Sequence, residues 1–305
     1  MQLIRKQDGF TLIELMVSLV LGLLVTGIVI ALFAHSKRNF NEDEQVSLMQ
    51  ENGRFAMQLM SRDISMAGFL GNLFQPTEVD ASGITLVGNC ISDWSQVVDL
   101  PPIKVTPESH APAACFTSET IKPGTQVVVI KRAEPVFTNS PVDGKLYFRT
   151  NGTGGSLYIG STTTPAGYRD WEYIMHVYYI KVDNGIPALY RKRLAPSAGT
   201  NVSLSAGEQL IPGVESFAIS LGVDTTGDGI ANTYYPSTTS AVLSNAVSAK
   251  LDILVRSTRL NPSYTNNKTY YVGNTVINGT DFKQYYGRVF STTIPMRNIA
   301  YRIQN

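Results

Sequence analysis

Residues 8–38 read DGFTLIELMVSLVLGLLVTGIVIALFAHSKR. From Phe10 to Ala34 the run is apolar over 25 residues and holds one charged side chain, Glu14. About 20 apolar residues cross the hydrocarbon of a bilayer as a helix, so the length fits a span. A carboxylate at depth costs roughly 2.5–3.5 kcal/mol on insertion scales, and such residues mark functional positions. A secretory signal would carry a shorter apolar stretch of about 7–15 residues, ended by a small-residue cleavage site. Here Arg5 and Lys6 supply the basic start, but the run is too long and His35-Ser36-Lys37-Arg38 follows it. A plain anchor explains the length and leaves Glu14 without a purpose.

The rest of the composition narrows the classes. The 305 residues are 43% hydrophobic and 16% charged, enough for a sizeable core and unlike a disordered chain. Lysine and arginine number 25 against 24 acids, a net charge of +1. That balance gives no electrostatic case for nucleic acid as a primary ligand. Two cysteines and three histidines (His35, His110, His176) are thin material for a metal centre or a histidine-based catalyst. No Walker A loop, H-E-x-x-H, G-x-S-x-G or C-x-x-C is present, so no enzyme signature emerges. No later segment is long and apolar enough to span a bilayer.

The helix is expected to continue beyond the apolar run, because no proline precedes Pro76. Val46, Met49, Gly53, Ala56, Met60, Ile64 and Ala67 recur at spacings of three and four, an amphipathic stripe. Ala67-Gly68 supplies a stop, with Gly68 suited to a left-handed cap. The 58 residues from Phe10 to Ala67 would make a helix about 85 Å long.

Gly9-Phe10-Thr11-Leu12-Ile13-Glu14 resembles the class III signal of type IV prepilins. The resemblance implies cleavage after Gly9 by a prepilin peptidase, N-methylation of the new first residue Phe10, and retention of the apolar helix. Glu14 lies about one helical turn beyond Phe10. Its carboxylate can meet an α-ammonium, its own or a neighbouring subunit's, which offsets burial and sets subunit register. Gln50-Glu51-Asn52-Gly53-Arg54-Phe55-Ala56, Arg62-Asp63-Ile64 and Ala67-Gly68-Phe69-Leu70-Gly71 resemble the start of the PilW-type minor pilins. Phe290-Ser291-Thr292-Thr293-Ile294 with Met296-Arg297-Asn298 resembles that family's last strand. One departure is Asn72, where many relatives carry a cysteine.

Past residue 75, short β-rich runs alternate with Gly, Pro, Ser, Thr and Asn clusters. Expected strands are Gln126–Arg132, Lys145–Thr150, Ser156–Ser161, Tyr173–Val182, Ala188–Leu194, Val214–Val223, Ala249–Thr258 and Arg288–Ile294. Asp183-Asn184-Gly185 reads as a hairpin turn, since Asn-Gly accepts positive φ at both central positions. In Lys250–Arg256 the alternation places Leu251, Ile253 and Val255 inward and Asp252 outward. The expected fold is α+β, a long N-terminal helix packed on an antiparallel β-sheet head with a loop-rich insertion. The expected organisation is a leader at 1–9, a membrane or filament-core helix at 10–34, its amphipathic continuation at 35–74, and a β-rich head at 75–305.

Three features of the head invite chemistry. Cys90 and Cys115 bracket a segment holding Pro101, Pro102, Pro107 and Pro112. In an oxidising compartment a disulfide between them is expected, contributing roughly 3–4 kcal/mol on the loop-entropy model. In Asp224-Thr225-Thr226-Gly227-Asp228-Gly229-Ile230-Ala231-Asn232, oxygen donors recur at Asp224, Thr226, Asp228, the Ile230 carbonyl and Asn232. That spacing suits a calcium loop, although Tyr235 stands where a bidentate acid belongs; a polar turn explains the same residues. No cofactor is required by anything else in the chain. Arg191-Lys192-Arg193 is a basic patch, but alternate strand residues face opposite sides, so the three read as a solvated strand rather than one surface.

What the resemblance implies is a minor pilin that primes a type IV pilus and joins it, serving twitching motility, adhesion or DNA uptake. Implied partners are other minor pilins, the major pilin, prepilin peptidase, membrane lipid, and an inner-membrane assembly platform with a separate ATPase. The implied location is the inner membrane, with the C-terminal head in the periplasm, and later the pilus at the cell surface. Two alternatives share the same features: a minor pseudopilin of type II secretion, and a membrane-anchored adhesin or binding protein.

Overall fold

The computed structural model describes residues 9–73, 79–87, 102–111, 113–117, 119–236 and 238–299. The chain divides into two units, residues 1–47 and 48–305; the second is called the head below. Helix α1, Leu12–Met66, contributes to both. It ends at Met66, and Gly68 follows with φ 81°, the left-handed conformation that glycine adopts without a Cβ penalty.

The head's strands, in chain order, begin with β1 (Val79–Asp80), β2 (Thr85–Leu86), β3 (Ile103–Pro107) and β4 (Gln126–Ala133). They continue with β5 (Leu146–Thr150), β6 (Gly155–Ile159), β7 (Arg169–Asp183) and β8 (Ile186–Pro196). Then come β9 (Asn201–Leu204), β10 (Glu208–Pro212), β11 (Val214–Val223) and β12 (Thr233–Tyr235). A short helix α2 (Ser240–Ser244) precedes β13 (Ala246–Arg256), β14 (Thr269–Val272), β15 (Thr275–Asn278) and β16 (Gly287–Pro295). A ten-stranded sheet runs β1-β6-β5-β7-β8-β9-β2, with β10 also on β8 and β3-β4 also on β7. All its pairs are antiparallel except the two-residue edges β1-β6 and β2-β9. A second sheet of four strands runs β12-β11-β13-β16, and β14-β15 form a separate hairpin.

All eight expected strands form, and the α+β reading holds. β7 and β8 join through Asn184 (φ 50°) and Gly185 (φ 77°), with Asp183 opposite Ile186. The additional strands escaped the sequence because they are short, and several pair with partners far away along the chain. Asp252 corrects the simple alternation. It is buried, accepts a hydrogen bond from Ser291 Oγ and another from the Gly273 amide at 3.2 Å, and pairs with Lys250 at 3.4 Å. The reason is a second covered face: Ala218 and Leu254 pack there with Tyr270, Val272 and Phe282. A sheet covered on both sides loses its polar alternation.

Within the head, α1 presents Met49, Gly53, Ala56, Met60 and Ile64, and Ala67 follows just past its end, all buried. Each large apolar side chain so buried contributes about 1.5–3 kcal/mol. Gly53 faces Phe290 of β16 so closely that a Cβ would overlap the ring. A core cluster lies on the ten-stranded sheet and includes Phe148, Leu157, Val177 and Tyr179.

Candidate functional site

The first turn of α1 is built by Thr11 and Glu14. The Glu14 amide donates to Thr11 Oγ1 at 3.3 Å, and the Thr11 amide donates to Glu14 Oε2 at 3.0 Å. The Thr11 hydroxyl also donates to Glu14 Oε2, at 2.9 Å. This reciprocal pattern is a capping box, and it places a carboxylate at the helix end where the dipole favours negative charge. Phe10 is 86% exposed. Among the described residues, a Cβ on Gly9 would meet nothing within 4 Å. Beyond this turn the apolar side chains Leu12 to Phe33 stand exposed around the helix. Among the described residues, α1 is the helix long and apolar enough to cross a membrane. Apolar surface on that scale requires lipid or other helices to cover it.

The Asp224 to Asn232 loop is closed by its own groups. Asp224 Oδ1 accepts the amides of Thr226 and Gly227 at 2.9 and 2.7 Å, and Oδ2 accepts that of Gly229 at 2.6 Å. These bonds, led by the Gly229 amide, hold the Asp224 carboxyl below its ordinary pKa. Asp228 Oδ1 accepts the Ile230 amide at 2.9 Å, and Asn232 Oδ1 accepts the Thr225 amide at 2.8 Å. Among the described residues no three His, Cys, Asp or Glu side chains converge as a metal site. Cys115 is buried and is not a free thiol; Cys90 lies outside the described residues.

One cluster was not foreseen. Asp63, on the buried stripe of α1, accepts three hydrogen bonds from the ten-stranded sheet. Arg132 Nε of β4 donates to Oδ1 at 3.0 Å. From β7, His176 Nδ1 and Tyr178 Oη both reach Oδ2, each at 2.5 Å. All four side chains are buried. Burial opposes ionisation of Asp63, but the bonds from His176 and Tyr178 and the charge of Arg132 outweigh it and hold its pKa to about 2. Burial pushes His176 below the ordinary histidine value despite the carboxylate beside it, so near neutrality it donates Nδ1–H as the uncharged ring. Burial also raises the Tyr178 phenol. A buried carboxylate so fully paired fixes the helix to the sheet at one rotation and one height. The signal was visible as an acid at the stripe position three residues past Met60, but its partners lie 69 and 113 residues away.

The basic patch on β8 keeps the expected alternation, but its middle residue is not solvated. Lys192 is buried, reaching Glu119 Oε1 at 3.3 Å and lying over the Phe116 ring. Arg191 and Arg193 share the opposite face and line one groove.

Residues 4–30 match the family model of the prokaryotic N-terminal methylation motif, and residues 177–298 match that of Type IV Pilus-assembly protein W. The first covers Gly9 to Glu14 and most of the apolar run; the second begins inside β7 and passes beyond β16. No curated protein and no solved structure matches the chain.

Proposed function

We propose that this chain, a PilW-like type IV pilin, acts as a minor pilin: it is stored in the inner membrane, primes fibre assembly and enters the fibre. The observation that carries the reading is the N-terminal turn. A methylation-motif match, an exposed Gly9-Phe10 junction, and a capping box that places Glu14 beside that junction occur together. In the proposed sequence, prepilin peptidase cuts after Gly9 and Phe10 is N-methylated. The new ammonium, or that of an adjacent subunit, then shares the Glu14 carboxylate with the Thr11 amide. In a low-dielectric helix bundle this pairing offsets the burial of both charges and sets axial register.

The exposed apolar surface of α1 supports both environments, lipid before assembly and neighbouring pilin helices after it. In this reading the head lies on the periplasmic side, and the Asp63 cluster ties its part of α1 to the sheet. Other minor pilins and the major pilin would contact α1, and force for assembly would come from a separate ATPase. The match over residues 177–298 favours the pilus over the type II secretion alternative.

The test is intact-mass and N-terminal analysis of protein from membranes, together with the Glu14→Ala variant. We expect a chain beginning at methylated Phe10 in both, with piliation and twitching lost in the variant and secretion unaffected. A mature chain beginning at Met1, or one lacking the apolar helix, sinks the reading. Normal piliation by Glu14→Ala removes the register role.

A further inference from the structure

Beside the Asp63 cluster, α1 and the ten-stranded sheet enclose a groove of about 410 Å³. Four arginines line it: Arg62 from α1, Arg132 from β4, and Arg191 and Arg193 from β8. Their charges are unequally committed. Arg132 serves Asp63, and through one terminal nitrogen Glu134 at 3.2 Å. Arg191 gives one terminal nitrogen to Glu208 at 3.1 Å, while its buried Nε–H has no acceptor. Arg62 and Arg193 are exposed, and among the described residues neither pairs with a carboxylate. The acids in the wall are all answered: Asp63 by its three donors, Glu134 by Arg132, and Glu172 by Lys145 at 2.5 Å. Two guanidiniums are therefore left without counter-charge at one concave site.

Besides Gln58, His176 and Tyr178, the remaining wall is apolar. Phe55, 52% exposed, stands on α1 with Leu59, and Ile174 lies on β7. A planar guanidinium offers parallel N–H donors that match a carboxylate bidentately. Apolar rings and branched chains beside it suit a ligand whose anion is carried on carbon. A phosphate dianion fits less well: it has no apolar part to set against Phe55, Leu59 and Ile174, and its second charge meets more of what field Glu134 and Glu172 retain than a single carboxylate does.

We propose that this groove binds a single carboxylate carried on an apolar chain, the chemistry of an acidic peptide segment, through Arg62 and Arg193. The inference does not depend on the pilin reading. The test uses the full chain in non-ionic detergent and isothermal titration with three probes: acetyl-Leu-Glu-Leu-amide, acetyl-Leu-Gln-Leu-amide and inorganic phosphate. We expect saturable binding of the Glu peptide, weakened at least tenfold when Gln replaces Glu and weaker for phosphate. R62Q and R193Q each weaken the Glu peptide several-fold and the double variant abolishes it. R54Q, which alters an exposed arginine outside the groove, leaves it unchanged. Thermal midpoints of all variants should equal the parent's, since both groove arginines are exposed. No saturable binding, equal binding by the double variant, or tighter binding of phosphate overturns the proposal.

Discussion

At the scale of single residues, two carboxylates on the same helix do opposite things. Glu14 sits where a helix end already wants an anion, and its bonds are local, to Thr11. Asp63 sits where an apolar stripe would place a hydrocarbon, and its bonds are all tertiary. Removing one member of a buried pair leaves the other charge uncompensated, at a cost of about 3–5 kcal/mol. Asp63→Asn keeps the shape and removes the charge, leaving Arg132 buried with Glu134 as its remaining carboxylate. We expect the head's thermal midpoint to fall by on the order of 10 °C in calorimetry. Replacing the whole cluster together, as Asp63→Leu with Arg132→Met, His176→Leu and Tyr178→Phe, should recover much of that loss, because it leaves no buried donor of the cluster unpaired and well-packed apolar substitutes can equal a buried ion pair. An Asp63→Asn midpoint within a degree or two of the parent's would show that the cluster does not hold the helix.

At the scale of elements, the contact between α1 and β16 turns on one missing side chain. Glycine inside a helix is about 1 kcal/mol less favourable than alanine, so Gly53→Ala should stabilise an isolated helix. Here Phe290 occupies the space that the new methyl would need. We expect Gly53→Ala to destabilise the head by about 1–3 kcal/mol through overpacking, and to become neutral or stabilising when Phe290 is cut to Ala. A double-mutant cycle by chemical denaturation measures the coupling; additive effects would mean that the ring simply swings aside. The same helix shows what was legible beforehand. Its period, its stop at Gly68 and the 183–185 hairpin turn follow from local rules, and so do the longer strands, whose β-branched and aromatic runs declare themselves. Asp252 and Lys192 were misread, because their surroundings come from residues remote in the chain: the β14-β15 hairpin covering one sheet face, and Glu119 and Phe116 meeting the lysine on another. The processing turn was legible as a motif, whereas the capping geometry inside it was not separated from the role the motif implied.

At the scale of the whole molecule, three groups of the head, Asp63, Glu119 and His176, weaken it in the same direction as the pH falls. A carboxylate whose folded pKa is depressed contributes stability that is complete above its unfolded value and is lost as pH falls through the folded one. For Asp63 that window runs from its ordinary 3.8 down to about 2, a loss of roughly 2 kcal/mol. Glu119, bonded by Tyr179 and by the Gly207 amide at 2.8 Å, is depressed against its burial in the same direction. His176 acts at higher pH with the same sign. Its folded pKa lies below the ordinary 6.5, so in mild acid the unfolded chain takes up a proton that the folded ring refuses, and stability declines. Two steps should therefore appear as the full chain is acidified in detergent: a shallow fall in thermal midpoint below pH 6.5, and a steeper one below about pH 4. His176→Gln removes the titrating ring while keeping an N–H donor for Asp63. It should flatten the first step, leave the second in place, and lower the midpoint at pH 7 by only a few degrees. If the variant and the parent decline in parallel between pH 7 and 5, the shallow step belongs to other groups, and His176 is held in the cluster without refusing its proton.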